Sequence, residues 1–274
     1  MCAGLAKSCQ WNPAEYAANS AVQQSWAREV IARLQLRGDE HILDVGCGDG
    51  KVTAELAQAV PQGRVLGVDA SPEMIAYAQQ AFPAAKISNL AFQIRDARKL
   101  ETVGSGFHLV FSNAALHWVD DHPAILRGAA AVLQPGGRLV VSCGGKGNAQ
   151  EVFLAFRSEW RLPRWRGFFR NLPAPYYFYS PDDYQRWLPK FGFQIIALKL
   201  NPKDATYAGP DGLAAWLRTT WLPYVQRVPP QLREDFIAAV TRRFLAKHPP
   251  DAEGKVHVRM VRLEIDAEKV RREF

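Results

Sequence analysis

Apolar residues along the chain change their spacing in a regular rhythm. Over residues 20–36, SAVQQSWAREVIARLQL, Val22, Trp26, Val30, Ile31 and Leu34 recur at the three-to-four spacing of an amphipathic helix. HILDVG (41–46) is short and almost continuously apolar, the pattern of a strand covered on both faces. KVTAELAQAV (51–60) predicts a helix, stopped by the turn residues Pro61 and Gly63. RVLGVDAS (64–71) is a second strand. Ser71 and Pro72 then open a helix, because serine can accept from a free first-turn N–H and proline has none to leave unpaired. EMIAYAQQAF continues it. LAFQIRDA (90–97), FHLVFSNAAL (107–116) and GGRLVVSCG (136–144) read as further strands, the last two joined by a helix, PAILRGAAAVLQ.

Strand and helix thus alternate five times, with strands too apolar to face water. Such strands form a parallel sheet with helices on both faces and right-handed crossovers. After Cys143 the rhythm breaks. Residues 146–190 are rich in aromatics and arginine, with prolines at 163, 173, 175, 181 and 189. FGFQIIALKL (191–200) returns to strand character, GLAAWLRTTWLPYV and PQLREDFIAAVTRRFLAKH read as helices, and KVHVRMVRLEI (255–265) alternates. In that last run Val256, Val258, Met260 or Val261, and Leu263 or Ile265 are set against basic residues, as in an edge or antiparallel strand. The expected architecture is one α/β domain, Rossmann-like, with a seven-stranded mostly parallel sheet and a helical cap. Residues 1–36 would be N-terminal lid helices and 37–145 the core. Residues 146–190 and 203–254 would be cap insertions, and 191–202 and 255–265 the last strands.

Composition adds limits. The 274 residues are 48% hydrophobic and 22% charged, ordinary for a globular protein. No apolar run approaches the roughly 20 residues that cross a bilayer, and MCAGLAKSCQW lacks the apolar core of a secretory signal. A cytoplasmic protein without stable membrane insertion is expected. Cys2, Cys9, Cys47 and Cys143 form no metal-ligand spacing, so free thiols and no metal are expected. The formal charge of +7 gathers in RSEWRLPRWRGFFR, where Arg157, Arg161, Arg164, Arg166 and Arg170 face a single Glu159. Interleaved arginines and aromatics could serve nucleic acid or an anionic surface. A solvated lid, or one that steers an anionic small molecule, is the preferred reading, since a charge patch alone is weak evidence for such a partner. No RNA- or DNA-binding motif accompanies the patch, so nucleic acid is not an expected partner.

ILDVGCGDGKV (42–52) runs from strand into glycine-rich loop. A phosphate-binding P-loop needs G-x-x-x-x-G-K-[ST], but Val45 stands at its first glycine and Val52 at its hydroxyl. The dinucleotide fingerprint G-x-G-x-x-G is mismatched, since Gly46, Gly48 and Gly50 bring the third glycine one residue early. Asp44, two residues before the loop, would repel a pyrophosphate and attract an ammonium group. Asp69 ends the second strand, where a carboxylate can accept from both ribose hydroxyls. Asp96 ends the third, where it can accept from an adenine amine. Ammonium, ribose and adenine without phosphate describe S-adenosylmethionine.

LDVGCGDG, VLGVDASPEMI, IRDARKL, SNAALHWVDD and LQPGGRLVVSC resemble, in order, the motifs of class I S-adenosylmethionine-dependent methyltransferases over residues 40–145. WNPAEYAANS, GLAAWLRTTWLPYV and HPPDAEGKVHVRMVRLEI resemble the trans-aconitate methyltransferase-type branch, which methylates carboxylates of small acids; juvenile hormone acid methyltransferase is similar across the core. The resemblance implies that Asp44 contacts the methionine ammonium, with Gly46, Cys47 and Gly48 under the ligand. It implies that Asp69 holds the ribose, with Ala70 and Met74 near the adenine, and that Asp96 binds the adenine amine beside Ala97. Asn113, Ala114 and Leu116 would line the methionine end, and Trp11 and Tyr16 would fold over the cofactor. Each aspartate could instead simply cap a following helix.

Methyl transfer from a sulfonium is an in-line displacement in which alignment and water exclusion dominate. A carboxylate nucleophile is ionised at neutral pH and needs no base; carbon, hydroxyl or amine nucleophiles can need one. His117 is the candidate catalytic residue, as a base or as a substrate-positioning donor. His41, His108 and His122 have no motif context and are expected to be surface or structural. Arg164, Arg166, Arg218, Trp216, Trp221, Tyr176 and Tyr224 are candidates to surround an anionic or partly aromatic small acid. O-methylation of a carboxylate is the leading expectation. Carbon or nitrogen methylation of a natural-product or lipid-like substrate on the same fold is the alternative, and monomer and homodimer both stay open.

Overall fold

The computed structural model describes residues 10–271; Cys2, Cys9 and the first nine residues of the expected lid lie outside the described residues. Two short helices come first, α1 (Pro13–Asn19), capped by the Asn12 side chain, and α2 (Ala21–Ala32). The alternating core follows: β1 (His41–Val45), α3 (Lys51–Ala59), β2 (Arg64–Asp69), α4 (Pro72–Ala81), β3 (Leu90–Ile94), β4 (Phe107–Asn113), α5 (His122–Val132) and β5 (Leu133–Gly144). Next come α6 (Gln150–Trp160), α7 (Pro181–Trp187), β6 (Phe193–Tyr207), α8 (Gly209–Thr220), α9 (Leu222–Val225), α10 (Arg233–Leu245) and β7 (Val256–Lys269).

Seven strands form one sheet in the order β3-β2-β1-β4-β5-β7-β6. The pairs among β1 to β5 are parallel, and β7 lies antiparallel to both β5 and β6. Helices cover both faces because successive strand residues point opposite ways. In β1, Ile42 joins the apolar cluster of α2 and α3, with Val30, Leu34, Leu56 and Val60. Its neighbour Leu43 joins that of α5 and α7, with Ile125, Leu126, Val132, Tyr184 and Leu188. Strand order reverses between β1 and β4, so crossovers leave in opposite directions there and the carboxyl ends of the strands open a crevice.

The later elements depart from the sequence expectation in four places. First, α7, expected within a cap insertion, packs through Tyr184 with α5 on the sheet instead of in the cap core. The expected helix 212–225 is broken at Trp221 (φ −106°, ψ 30°), since Pro223 cannot donate to the preceding turn. Phe191 closes a tight turn ended by Gly192 (φ 78°), which delays β6 to Phe193. Finally, β6 runs through Pro202 to Tyr207 and β7 to Lys269, both beyond the expected limits. An edge strand tolerates proline because its outward N–H has no ladder partner to lose. Residues 203–207 are therefore strand, paired from Lys203 with Met260 to Tyr207 with Val256.

This hairpin extension enters the cap. There α6, α8, α9 and α10 have an apolar core of their own, including Phe156, Trp216, Leu217, Trp221, Tyr224, Phe236 and Val240, closed below by Val256, Val258 and Met260 of β7. Among the described residues no helix is long and apolar enough to cross a membrane.

Candidate active site

The site begins where β1 ends. The N–H groups of Gly46 and Cys47 both donate to the Val68 carbonyl, at 2.7 and 3.0 Å, turning the chain sharply off the sheet. Gly46 has φ 78°, and a Cβ there would lie 2.1 Å from that of Ala115. Gly48 (φ 53°) directs its N–H to an Asp69 carboxylate oxygen at 3.1 Å, which ties the loop to the tip of β2. The other Asp69 oxygen accepts the Ser71 N–H at 2.9 Å. Burial raises the Asp69 pKa, against the opposing effect of these N–H groups.

Asp44 is 2% exposed. Its carboxyl accepts one hydroxyl, Thr53 at 2.7 Å, and pairs with no cation among the described residues. Burial pushes its pKa up to about 7, Thr53 opposes this and the neighbouring Asp69 adds to it. A buried carboxylate without a counterion favours a ligand that brings positive charge.

Two adjoining cavities surround these tips. The larger, about 520 Å³, is lined by Trp11, Tyr16, Gly46, Gly48, Asp69, Ala70, Met74, Asp96, Ala97, Ala114 and Leu116. The smaller is lined by Tyr16, Asp44, Gly46, Cys47, Gly48, Asn113 and Ala114. All the residues expected at the cofactor are therefore brought to this crevice. Asp96 differs in detail from expectation. Its oxygens receive Arg98, with Nη2 at 2.7 Å and Nε at 3.0 Å, and Arg98 also reaches Asp120 at 3.0 Å. An adenine amine would share that carboxylate. Burial raises the Cys47 pKa, so it lines the wall as a neutral thiol. Ala114 adopts φ 55°, a left-handed conformation that costs about 1 kcal/mol in a non-glycine residue. Its N–H is held by the Ser142 carbonyl at 2.8 Å. A cleft lined by the Asp69 carboxylate, with the uncompensated Asp44 carboxyl in the adjoining cavity, fits S-adenosylmethionine.

A third cavity shares Trp11, Tyr16 and Ala114 with the crevice and leads under the cap. Its walls are aromatic. Trp118 packs between Trp11 and Tyr176, with ring centroids at 5.1 and 4.9 Å. Tyr176 stacks on Phe178 at 5.5 Å and meets Trp221 edge-on at 5.5 Å. His117 lies in this wall, its Nδ1 accepting the Gly144 N–H at 3.3 Å. That bond assigns the ring proton of the neutral imidazole to Nε2. Burial, with Arg262 and His122 adding to it, pushes the His117 pKa down to about 3. The ring is thus a donor and a poor base, which narrows the two roles expected from its position.

Several expected substrate residues sit elsewhere. Arg166 is exposed on a short turn of the cap. Arg164 pairs with Asp235 at the surface and lies over the Trp165 ring. Arg218 is drawn to Glu234 at 2.5 Å, and to Glu15 at 3.9 Å. Tyr224 is buried in the cap core, stacked on Trp160 with centroids 5.2 Å apart. Trp216, Trp221 and Tyr176 do line the third cavity. The cation in that lining is Arg262, which sequence reasoning passed over as an outward basic residue of β7. The signal was its parity: position 262 shares the phase of Val256, Val258 and Met260. Gln23 was passed over too, and its buried Oε1 has no hydrogen-bond partner among the described residues. Of the other histidines, His41 is exposed and donates its N–H to His108 Nδ1 at 3.0 Å. His122 is fully buried between the Tyr184 hydroxyl and the Leu116 carbonyl, a structural strut.

Comparison with known proteins agrees with this geometry. A family model described as a methyltransferase domain matches residues 42–137. A trans-aconitate 2-methyltransferase of Deinococcus radiodurans is 32% identical over 80% of this chain and 83% of its own. That of Variovorax paradoxus is 29% identical over 94% and 98%. The magnesium protoporphyrin IX methyltransferase of Synechocystis, solved with S-adenosylhomocysteine bound, has the same fold, with a TM-score of 0.53 at 16% identity over 93% of this chain and 85% of that one. The chain belongs to the class I S-adenosylmethionine-dependent methyltransferases, in the trans-aconitate methyltransferase-like branch, and is an enzyme that methylates a small molecule.

Proposed function

We propose that the enzyme O-methylates a carboxylate of a small organic acid. The observation that carries this reading is the absence of a base from the lining of the third cavity. Among the described residues no aspartate, glutamate or lysine contributes to it, and its histidine is pinned as a donor by Gly144. A phenol, or an ammonium losing its proton, would need a partner of matched pKa to accept that proton. An ionised carboxylate is already nucleophilic at neutral pH. The similarity to trans-aconitate 2-methyltransferases supports the same substrate class.

Bound S-adenosylmethionine supplies an activated methyl group on a sulfonium. The residues of this chain supply the rest. Asp44, ionised when an ammonium lies beside it, and Asp69 with its fixed N–H partners would hold the cofactor's amino group and its ribose. Trp11, Trp118, Tyr176 and Trp221 exclude water from the path between cofactor crevice and substrate cavity. His117 would orient the acid through Nε2–H. The test is release of S-adenosylhomocysteine over a panel of aliphatic di- and tricarboxylates, phenols and amines, with a labelled methyl group. The reading requires an acid to be turned over and the label to be freed as methanol by mild alkali. Label that is stable to alkali would overturn it in favour of an ether, carbon or nitrogen product.

A further inference from the structure

We propose that Arg262 is the anchor for the substrate's carboxylate; this rests on the reading just given and adds to it the residue that selects the charge. Arg262 stands on β7 and is 4% exposed. Its Nη2 donates to the Ser142 carbonyl, to Ser142 Oγ at 3.1 Å and to Asn113 Oδ1 at 3.1 Å, while Nε reaches Ser142 Oγ at 3.3 Å. Every one of these acceptors is neutral. Nη1 makes no hydrogen bond among the described residues, and no carboxylate there lies within ion-pair distance. The group lies over the Trp26 ring, 5.3 Å from its centroid, and lines the cavity that His117 lines.

Burying a guanidinium without an anion costs several kcal/mol, and removing its partner from a buried pair is among the largest penalties in a protein interior. A site built this way is complete when a ligand brings the negative charge. The planar fork of arginine matches a carboxylate, with Nη1 aligned beside an Nη2 already fixed by Ser142 and Asn113. The cap arginines cannot do this, since Arg164 and Arg218 are paired with acidic side chains at the surface. Asn113 gives the arrangement a second function. Its amide nitrogen donates to the Gln23 carbonyl of α2 at 3.1 Å and its oxygen receives Arg262, so a residue at the cofactor crevice fixes the anchor's position.

The test measures the unaltered enzyme, Arg262→Gln and Arg262→Lys with trans-aconitate and with the best acid of the panel. Affinity for S-adenosylhomocysteine is measured in parallel by calorimetry. Arg262→Gln is expected to raise KM for the acid about 30-fold or more, Arg262→Lys to fall between, and S-adenosylhomocysteine affinity to stay within about twofold, as removal of one charge-assisted pair predicts. In the unaltered enzyme the carboxamide of the same acid is expected to compete at least about 30-fold less well than the acid, on the same basis. That comparison decides the matter if the variants do not fold. An unchanged KM in Arg262→Gln overturns the proposal, as does equal competition by acid and amide. Loss of S-adenosylhomocysteine affinity in step with KM also overturns it, by assigning Arg262 to the cofactor's own carboxylate. Failure of the underlying reading looks different, because the methylated product would then resist mild alkali whatever Arg262 does.

Discussion

Asp44 is a carboxyl whose ionisation depends on what lies beside it. With a pKa of about 7 it is largely protonated below neutrality and ionised above. A ligand ammonium binds the ionised form, so affinity is full above pH 7 and falls as pH drops through that value. The dissociation constant for S-adenosylmethionine should rise about tenfold between pH 8 and pH 6, and Asp44→Asn should bind weakly with no such slope, as titration calorimetry at several pH values can show. Gly46 illustrates a second constraint, since positive φ and the contact with Ala115 both exclude a side chain. Gly46→Ala should cost about 2–4 kcal/mol in denaturant unfolding, the sum of left-handed strain and overpacking. At this scale the cofactor half of the site was legible. Aspartates and glycines at strand tips keep their meaning because the parallel sheet places every tip on one edge. Arg262 was not, because a basic residue in an alternating strand is read as outward unless its phase is counted.

Elements add a different kind of information. The strand–helix alternation from β1 to β5 was readable because the inner strands β1, β2, β4 and β5 are largely covered on both faces and so carry mostly apolar runs. The edge strand β3, by contrast, buries only Leu90 and leaves Ile94 half exposed. The cap was harder to read. Its helices bury aromatic residues against one another and against the extended ends of β6 and β7, and no local spacing reports which of them face an internal cavity. Tyr224 and Tyr176 come from similar sequence, yet one is packed against Trp160 and the other donates its hydroxyl to the Thr220 carbonyl at 2.8 Å beside the cavity. The link between α5 and α7 can be tested directly. The Tyr184 hydroxyl is the partner of buried His122 Nδ1, and burial pushes the histidine down to about 4. Tyr184→Phe would leave that acceptor unmatched and should cost about 1–3 kcal/mol of stability, measured by urea unfolding.

Across the whole molecule, charge and site are separated. Arg157, Arg161, Arg164, Arg166 and Arg170 lie exposed on the cap, away from the cavity that holds Arg262. They contribute a positive field without lining that cavity, and salt screens such a field over about 8–10 Å. Replacing Arg161, Arg166 and Arg170 together with alanine should leave KM for the acid within about twofold at physiological salt. A lowered kcat/KM should appear only at low ionic strength, which steady-state assays across a salt series would reveal.

The overrun of the β6–β7 hairpin has a consequence for how this enzyme could be rebuilt. One continuous strand presents Val256, Val258 and Met260 to the cap and, a few residues on, Leu263, Ile265 and Ala267 to the cluster of α5 and α7 in the core. The cap therefore has no clean seam at which to be excised or exchanged for that of a relative. A chimera that swaps it must take the closing strand as well, and would import the donor's residue at position 262 along with the donor's lid.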